Sequence, residues 1–165
     1  QLVQVIESIG ASEDYSSAAL SEMSESRLRS LGVRQPLSIL LVEDNRVNQQ
    51  VVSHMLRRMS YPCDVVSSGE DAVAGLQSRS YDLVLMDLQL PGMDGFEAAR
   101  RIRNDLPAEK QPRIIALTAG SVTNDYDKSV GAGMDGFLIK PLRIEDFSHQ
   151  LRETYVKLQL QRSAE

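Results

Sequence analysis

Residues 82–95 read DLVLMDLQLPGMDG, and this stretch decides the fold. DLVLM is a short apolar run of strand length, and Asp87 falls just beyond its end. Gly92, Met93, Asp94 and Gly95 then shape a loop that starts the next helix, the glycines serving backbone geometry. The same pattern recurs outward along the chain. SILLV at 38–42 is followed by Glu43 and Asp44, RIIAL at 113–117 by Thr118, and GFLI at 136–139 by Lys140. Ligands of an open parallel α/β sheet gather at the carboxyl ends of its strands. Three carboxylates, one hydroxyl and one ammonium are therefore expected to converge on a single pocket.

Between these runs the period changes to that of helices. Val47, Val51, Met55 and Met59 repeat every fourth residue and predict one apolar helix face. A strand follows from Cys63 to Ser67. Ser67 and Glu70 have capping-box spacing, with Ala72, Val73 and Leu76 behind them. The helix after DLVLM carries Phe96, Ala99 and Ile102, and a weak helix after RIIAL carries Val122, Tyr126 and Val130. The last helix sets Ile144, Phe147, Leu151 and Leu158 on one side. Five βα units in about 120 residues make a doubly wound α/β sheet the natural architecture, because parallel strands need right-handed crossovers. The flavodoxin-like parallel order 2-1-3-4-5 has its switch point between strands 1 and 3. That order makes Glu43, Asp44 and Asp87 neighbours, with Thr118 and Lys140 completing the row.

Three carboxylates on adjacent strand ends repel one another unless a cation neutralises them, and all-oxygen ligation with water favours Mg2+. Such an ion typically completes its octahedron with phosphate oxygens. Asp87, the central carboxylate, is a candidate nucleophile that would form an acyl phosphate. Lys140 would balance charge on the transferring group, and the Thr118 hydroxyl would donate a hydrogen bond to it. Taken singly, an Asp after a strand is usually a turn residue or cap, and a Lys before Pro is usually solvated. It is their joint placement that points to a site.

The runs ILLVEDNRVNQ, DLVLMDLQLPGMDG and GMDGFLIKPL, with the Thr118-Ala119 step after RIIAL, resemble a response-regulator receiver domain over residues 37–158. The wording is most similar to receivers of hybrid sensor histidine kinases. The resemblance implies that Asp87 accepts a phosphoryl group from phosphohistidine, that Glu43 and Asp44 support Mg2+, and that the Gln89 carbonyl is a further metal ligand. It implies that Thr118 is the switch hydroxyl, Phe137 the aromatic switch residue and Lys140 the phosphate-binding lysine, followed by a cis peptide to Pro141. Phosphorylation would move Thr118 toward the phosphate, let Phe137 turn inward and shift the face formed by the fourth helix, fifth strand and fifth helix. Ala119 leaves the phosphoryl path open, and Gln89 and Gly120 stand where the family tunes access of water. The implied partner is a histidine kinase dimerisation domain or a histidine phosphotransfer protein, docking on the first helix and the pocket loops. Pairing with a second copy is left open.

Other classes fit the same residues less well. A haloacid-dehalogenase-type phosphohydrolase wants a second acid two residues after its nucleophile, where this chain has Gln89, and places that nucleophile on the first strand. A flavodoxin would meet Glu43 and Asp44 where a phosphate wants neutral donors. A degenerate receiver acting only as an interaction module is disfavoured by the retention of all five pocket groups. His54 and His149 lack the flanking residues of a phosphoacceptor histidine and read as surface or helix-packing side chains. Arg100, Arg101 and Arg103 read as a solvated helix face.

Composition bounds the rest. The 165 residues support one domain and an extension, and a net charge of −5 argues against sequence-independent nucleic-acid binding. Cys63 is the single cysteine and reads as a structural thiol. No membrane span or signal peptide is visible, so a cytoplasmic location is expected, although a chain starting at Gln1 reads as a piece whose parent could be membrane-bound. Residues 1–36 are read as linker or helical extension, with helices ending at Gly10 and Gly32, and QLVQVIESIG resembles the last helix of an upstream module. Residues 159–165 are read as a tail. With so little chain after the last helix, no effector is expected on that side, which favours a relay role.

Overall fold

The computed structural model describes residues 25–120 and 122–165, without the side chains of Val122 and Thr123. The helix expected to end at Gly10, and the part before residue 25 of the one expected to end at Gly32, lie outside the described residues. Strands β1 (Ile39–Val42), β2 (Cys63–Val66), β3 (Leu83–Asp87), β4 (Arg113–Thr118) and β5 (Gly136–Ile139) alternate with helices α1 (Arg46–Arg58), α2 (Gly69–Ser78), α3 (Gly95–Asp105), α4 (Val122–Gly131) and α5 (Ile144–Ser163). All strand pairs are parallel and the order is β2-β1-β3-β4-β5, as expected. Every residue of β1 and β3 is buried, whereas β2 and β5 at the edges are only partly so. Strands covered on both faces must be apolar throughout, which is why the central ones read as unbroken runs.

Alternation along those runs divides the core in two. Leu40, Val84, Met86, Ile114 and Ala116 pack with Ala72, Leu76, Ala99 and Ile102 of α2 and α3. Ile39, Leu41, Leu83, Leu85, Ile115 and Leu117 pack with Val52 and Leu56 of α1 and with Phe147 and Leu151 of α5. A strand turns successive side chains to opposite faces, so one run serves both layers.

Several local expectations are corrected. Of the expected α1 face, Met59 at the C-cap is buried and Met55 packs partly against the core, but Val47 and Val51 are 66% and 50% exposed and Val52 and Leu56 are the helix's buried residues. Four-residue steps overshoot a 3.6-residue turn, so a stripe drawn through every fourth residue drifts off the core face. Ser68 rather than Ser67 caps α2, accepting from the Asp71 amide at 3.1 Å. Glu70 accepts instead from the Met93 amide at 3.3 Å, tying α2 to the loop before α3. In α4, Tyr126 and Val130 are exposed rather than buried. Arg103 is not a solvated charge. It donates to the Gly133 and Pro112 carbonyls, to Gln111 and to Asp135, all at 2.7–2.8 Å. Asp94, expected in the loop that starts α3, is its cap, at 2.8 Å from the Glu97 amide, and Gly92 takes a positive φ of 74° that suits glycine.

The described part of the extension is helical at 25–29 and Leu31–Arg34. Leu31 is buried in the α1/α5 layer, and the Gly32 amide donates to the Met59 carbonyl at 2.8 Å. Gly32 lies inside this turn rather than capping it, and a Cβ there would overlap the Ser60 carbonyl oxygen. Helix α5 continues to Ser163, with Arg162 3.7 Å from Asp82. Cys63 is half-buried with its sulfur 3.7 Å from the Ser53 hydroxyl, and burial pushes the thiol pKa up.

Tyr61 closes the junction between extension and domain, its hydroxyl donating to the Gln35 carbonyl at 2.8 Å. Burial raises its pKa from 10.0 to about 12, with Arg152 opposing the rise. A raised acid pKa means that the folded state holds the proton more tightly than the unfolded chain. The stability this contributes is complete below pH 10 and is lost as pH rises through about 12. Ultraviolet titration is expected to show late phenolates at Tyr61 and at Tyr81, whose pKa burial also raises, and Tyr61→Phe is expected to remove the former and flatten the fall in stability over that window. A Tyr61→Phe profile parallel to the parent's would contradict this.

Candidate functional site

At the carboxyl edge of the sheet, β1 delivers Glu43, β3 ends in Asp87, β4 ends in Thr118, and Lys140 follows β5. The parallel register sets Leu117 beside Asp87 and Ile139 beside Thr118, so these ends stand in one row. Glu43, Asp44 and Asp87 each place a carboxylate oxygen within 4.8 Å of the others. Glu43 is 0% exposed and Asp87 5%, whereas Asp44 faces solvent.

Glu43 and Asp87 are oriented by their neighbours. One oxygen of Glu43 accepts from the Asn45 amide at 3.1 Å, and the other lies 3.2 Å from the Lys140 ammonium. Gln49 donates to the Glu43 carbonyl at 2.6 Å. Asn45 also caps α1, accepting from the amides of Val47 and Asn48 at 2.9 and 3.1 Å. Asp87 accepts from the Gln89 amide at 3.1 Å through one oxygen, and its other oxygen is 3.5 Å from Lys140. Gly95 packs on this residue's backbone, and a Cβ there would overlap the Asp87 carbonyl oxygen. The glycine after the capping Asp94 thus lets α3 approach the strand end.

Three carboxylates face one ammonium, an excess of negative charge that a small divalent cation would neutralise. Hard oxygen donors with room for water fit Mg2+ better than a softer metal. The residues that would hold the ion are Glu43, Asp44 and Asp87. Gln89 brings its backbone to the same loop and turns its side chain out to solvent.

Thr118 is buried at the end of β4, where its hydroxyl donates to the Asp125 carboxylate at 2.5 Å and accepts from the Gly120 amide at 3.0 Å. Phe137 lies half-buried on β5, edge-on to Tyr126 of α4 with ring centroids 5.6 Å apart and planes at 78°. The Lys140-Pro141 peptide is cis. His54 and His149 are both exposed. Sequence reasoning missed Asp125 and Gln49. Nothing in a helix of weak amphipathicity marks Asp125, and only the fold brings it back to Thr118.

Residues 39–152 match the family model for the response regulator receiver domain. A hybrid signal transduction histidine kinase, kinase B of Dictyostelium discoideum, is 42% identical over 68% of this chain, which spans only 6% of that protein. A solved receiver domain of the sensor histidine kinase PA1611 from Pseudomonas aeruginosa PAO1, with magnesium in its active-site cleft, is 39% identical. The alignment covers 72% of this chain and 97% of that one, with a TM-score of 0.66. The receiver domain of Saccharomyces cerevisiae Ssk1, solved with the histidine phosphotransfer protein Ypd1, is 29% identical over 73% of this chain and 89% of that one, with a TM-score of 0.67.

Proposed function

The chain belongs to the response regulator receiver domain family, and from that premise we propose that it accepts a phosphoryl group from phosphohistidine on Asp87. The observation that carries this reading is the setting of Asp87: nearly buried, one oxygen fixed by the Gln89 amide, the other 3.5 Å from Lys140, with Glu43 and Asp44 alongside. A carboxylate oxygen of Asp87 attacks phosphorus, the phosphorus–nitrogen bond breaks, and its electron pair stays with the departing imidazole. The product is an acyl phosphate. Lys140 opposes the charge spread over the equatorial oxygens, and the Thr118 hydroxyl donates to one of them. Magnesium held by Glu43, Asp44 and Asp87 would supply the remaining positive charge and draw the acids together. Gln89 and Gly120 flank the path by which water would reach the acyl phosphate.

The readout is a changed surface on α4, β5 and α5. A phosphoryl group adds negative charge and strong acceptors beside Thr118, and Phe137 on the neighbouring strand is the ring that would follow. A donor presenting its histidine near the pocket meets α1, where Val47 and Val51 are exposed. The relatives support a hybrid histidine kinase as parent, and the Ssk1 receiver supports a phosphotransfer protein as partner. Among the described residues no helix is long and apolar enough to cross a membrane.

The test is intact-mass spectrometry after incubation with acetyl phosphate, in Mg2+ and in excess chelator. One added phosphoryl group in Mg2+, falling at least roughly a hundredfold in rate under chelation, is expected. No gain with acetyl phosphate or a phosphohistidine donor would overturn the reading in favour of a receiver that acts only by binding its partner.

A further inference from the structure

We propose that Asp125 is a positioning residue that holds the Thr118 hydroxyl away from the phosphorylation site, an inference that deepens the phosphoacceptor reading and rests on it. A threonine hydroxyl has a single proton to donate. Here that proton is given to the Asp125 carboxylate at 2.5 Å, and the same oxygen accepts from the Gly120 amide at 3.0 Å. A phosphoryl oxygen on Asp87 must therefore compete with Asp125 for the one donor. Within α4 the Asp125 carbonyl also accepts from the Ser129 hydroxyl one turn on, at 2.6 Å.

The next residue grips the other switch group. Tyr126 meets Phe137 edge-on at 5.6 Å, within the range in which aromatic pairs attract. Two consecutive residues at the start of α4 thus hold Thr118 and Phe137 together in the unphosphorylated arrangement. Phosphorylation that draws off the Thr118 proton leaves Asp125 without its partner and frees that turn of helix to move with Tyr126. The coupling is reciprocal: whatever weakens the hold of Asp125 strengthens the binding of a phosphoryl group. An acid serving only to cap α4 would aim at the helix amides, whereas this one aims at a strand-end hydroxyl.

The experiment compares parent, Asp125→Ala, Asp125→Asn, Thr118→Val and the Thr118→Val/Asp125→Ala double variant, each first checked by thermal unfolding. The affinity for beryllofluoride in Mg2+ is measured by calorimetry. Asp125→Ala is expected to bind about tenfold more tightly, the size of one charge-assisted hydrogen bond. Asp125→Asn, which keeps an acceptor, should fall between, and Asp125→Ala should change nothing once Thr118 is Val. Weaker or unchanged binding in Asp125→Ala, or the same change in the Thr118→Val background, would overturn the proposal. If the parent binds no beryllofluoride and takes no phosphoryl group, it is the phosphoacceptor reading that fails. Asp125 is then judged on the unmodified protein by hydrogen exchange at the Gly120 amide. Exchange roughly tenfold faster in Asp125→Ala supports the hold on Thr118, and unchanged exchange overturns it.

Discussion

Asp87→Asn is expected to abolish phosphorylation, lowering the rate of label uptake from acetyl phosphate by at least roughly a thousandfold. The amide keeps the shape of the carboxylate and can still accept from the Gln89 amide, but it has no anionic oxygen to attack phosphorus. The same change removes one of three clustered acids, so Mg2+ affinity should drop about tenfold or more, since each carboxylate contributes charge to a hard-cation site. Stability should move the other way. Glu43 and Asp44 lose a like-charged neighbour, while Lys140 keeps its contact with Glu43 at 3.2 Å. Without divalent ions, the variant should therefore unfold at the same temperature as the parent or higher. Residual uptake above about a hundredth of the parent rate would show that another residue accepts the group. A large loss of stability would show that Asp87 is held by favourable contacts stronger than the repulsion.

The largest effect on stability is expected away from the site, at Phe147. This ring is 0% exposed in the core layer of Ile115, Leu117, Leu138 and Leu151, on the face of the sheet covered by α1 and α5. Truncation to Ala removes transfer energy and leaves a cavity that two helices and a sheet cannot fully close, costing about 3–5 kcal/mol. For a domain of this size the melting temperature should fall by roughly 10 °C. The comparison variant is Val47→Ala, on α1 but 66% exposed, for which a change within about 0.5 kcal/mol is expected. Urea unfolding of the two variants decides the matter. A loss below about 1 kcal/mol for Phe147→Ala would mean that the α1/α5 layer collapses around the gap.

Both predictions use residues that the sequence itself marked. Asp87 stood out because it ends an apolar run, and Phe147 because Ile144, Phe147 and Leu151 share a helix face. Where legibility failed, the signal was weak or three-dimensional. In α1 two apolar stripes overlap, Val47-Val51-Met55-Met59 and Val52-Leu56-Met59, and only packing decides which is covered. In the run Arg100-Arg101-Arg103, charge suggested solvent for all three. Yet the guanidinium of Arg103 reaches carbonyls at Pro112 and Gly133, whose proximity depends on how α3 and α4 pack beside β4. The capping-box spacing pointed to Ser67, and the backbone placed the cap one residue later, at Ser68.

The sequence by itself determined the alternation of five strands with five helices, their parallel arrangement and the placement of Glu43, Asp44, Asp87, Thr118 and Lys140 at strand ends. Those features follow from local periodicity and from the rule that parallel strands point the same ends to one edge. Tertiary structure alone decided which partners these groups meet. The Thr118 hydroxyl goes to Asp125, Lys140 spans Glu43 and Asp87, and Phe137 rests on Tyr126. The reason is physical: periodicity sets the direction of a side chain along its own element. A hydrogen bond or ring contact between elements depends on ångström-scale packing that no single segment encodes.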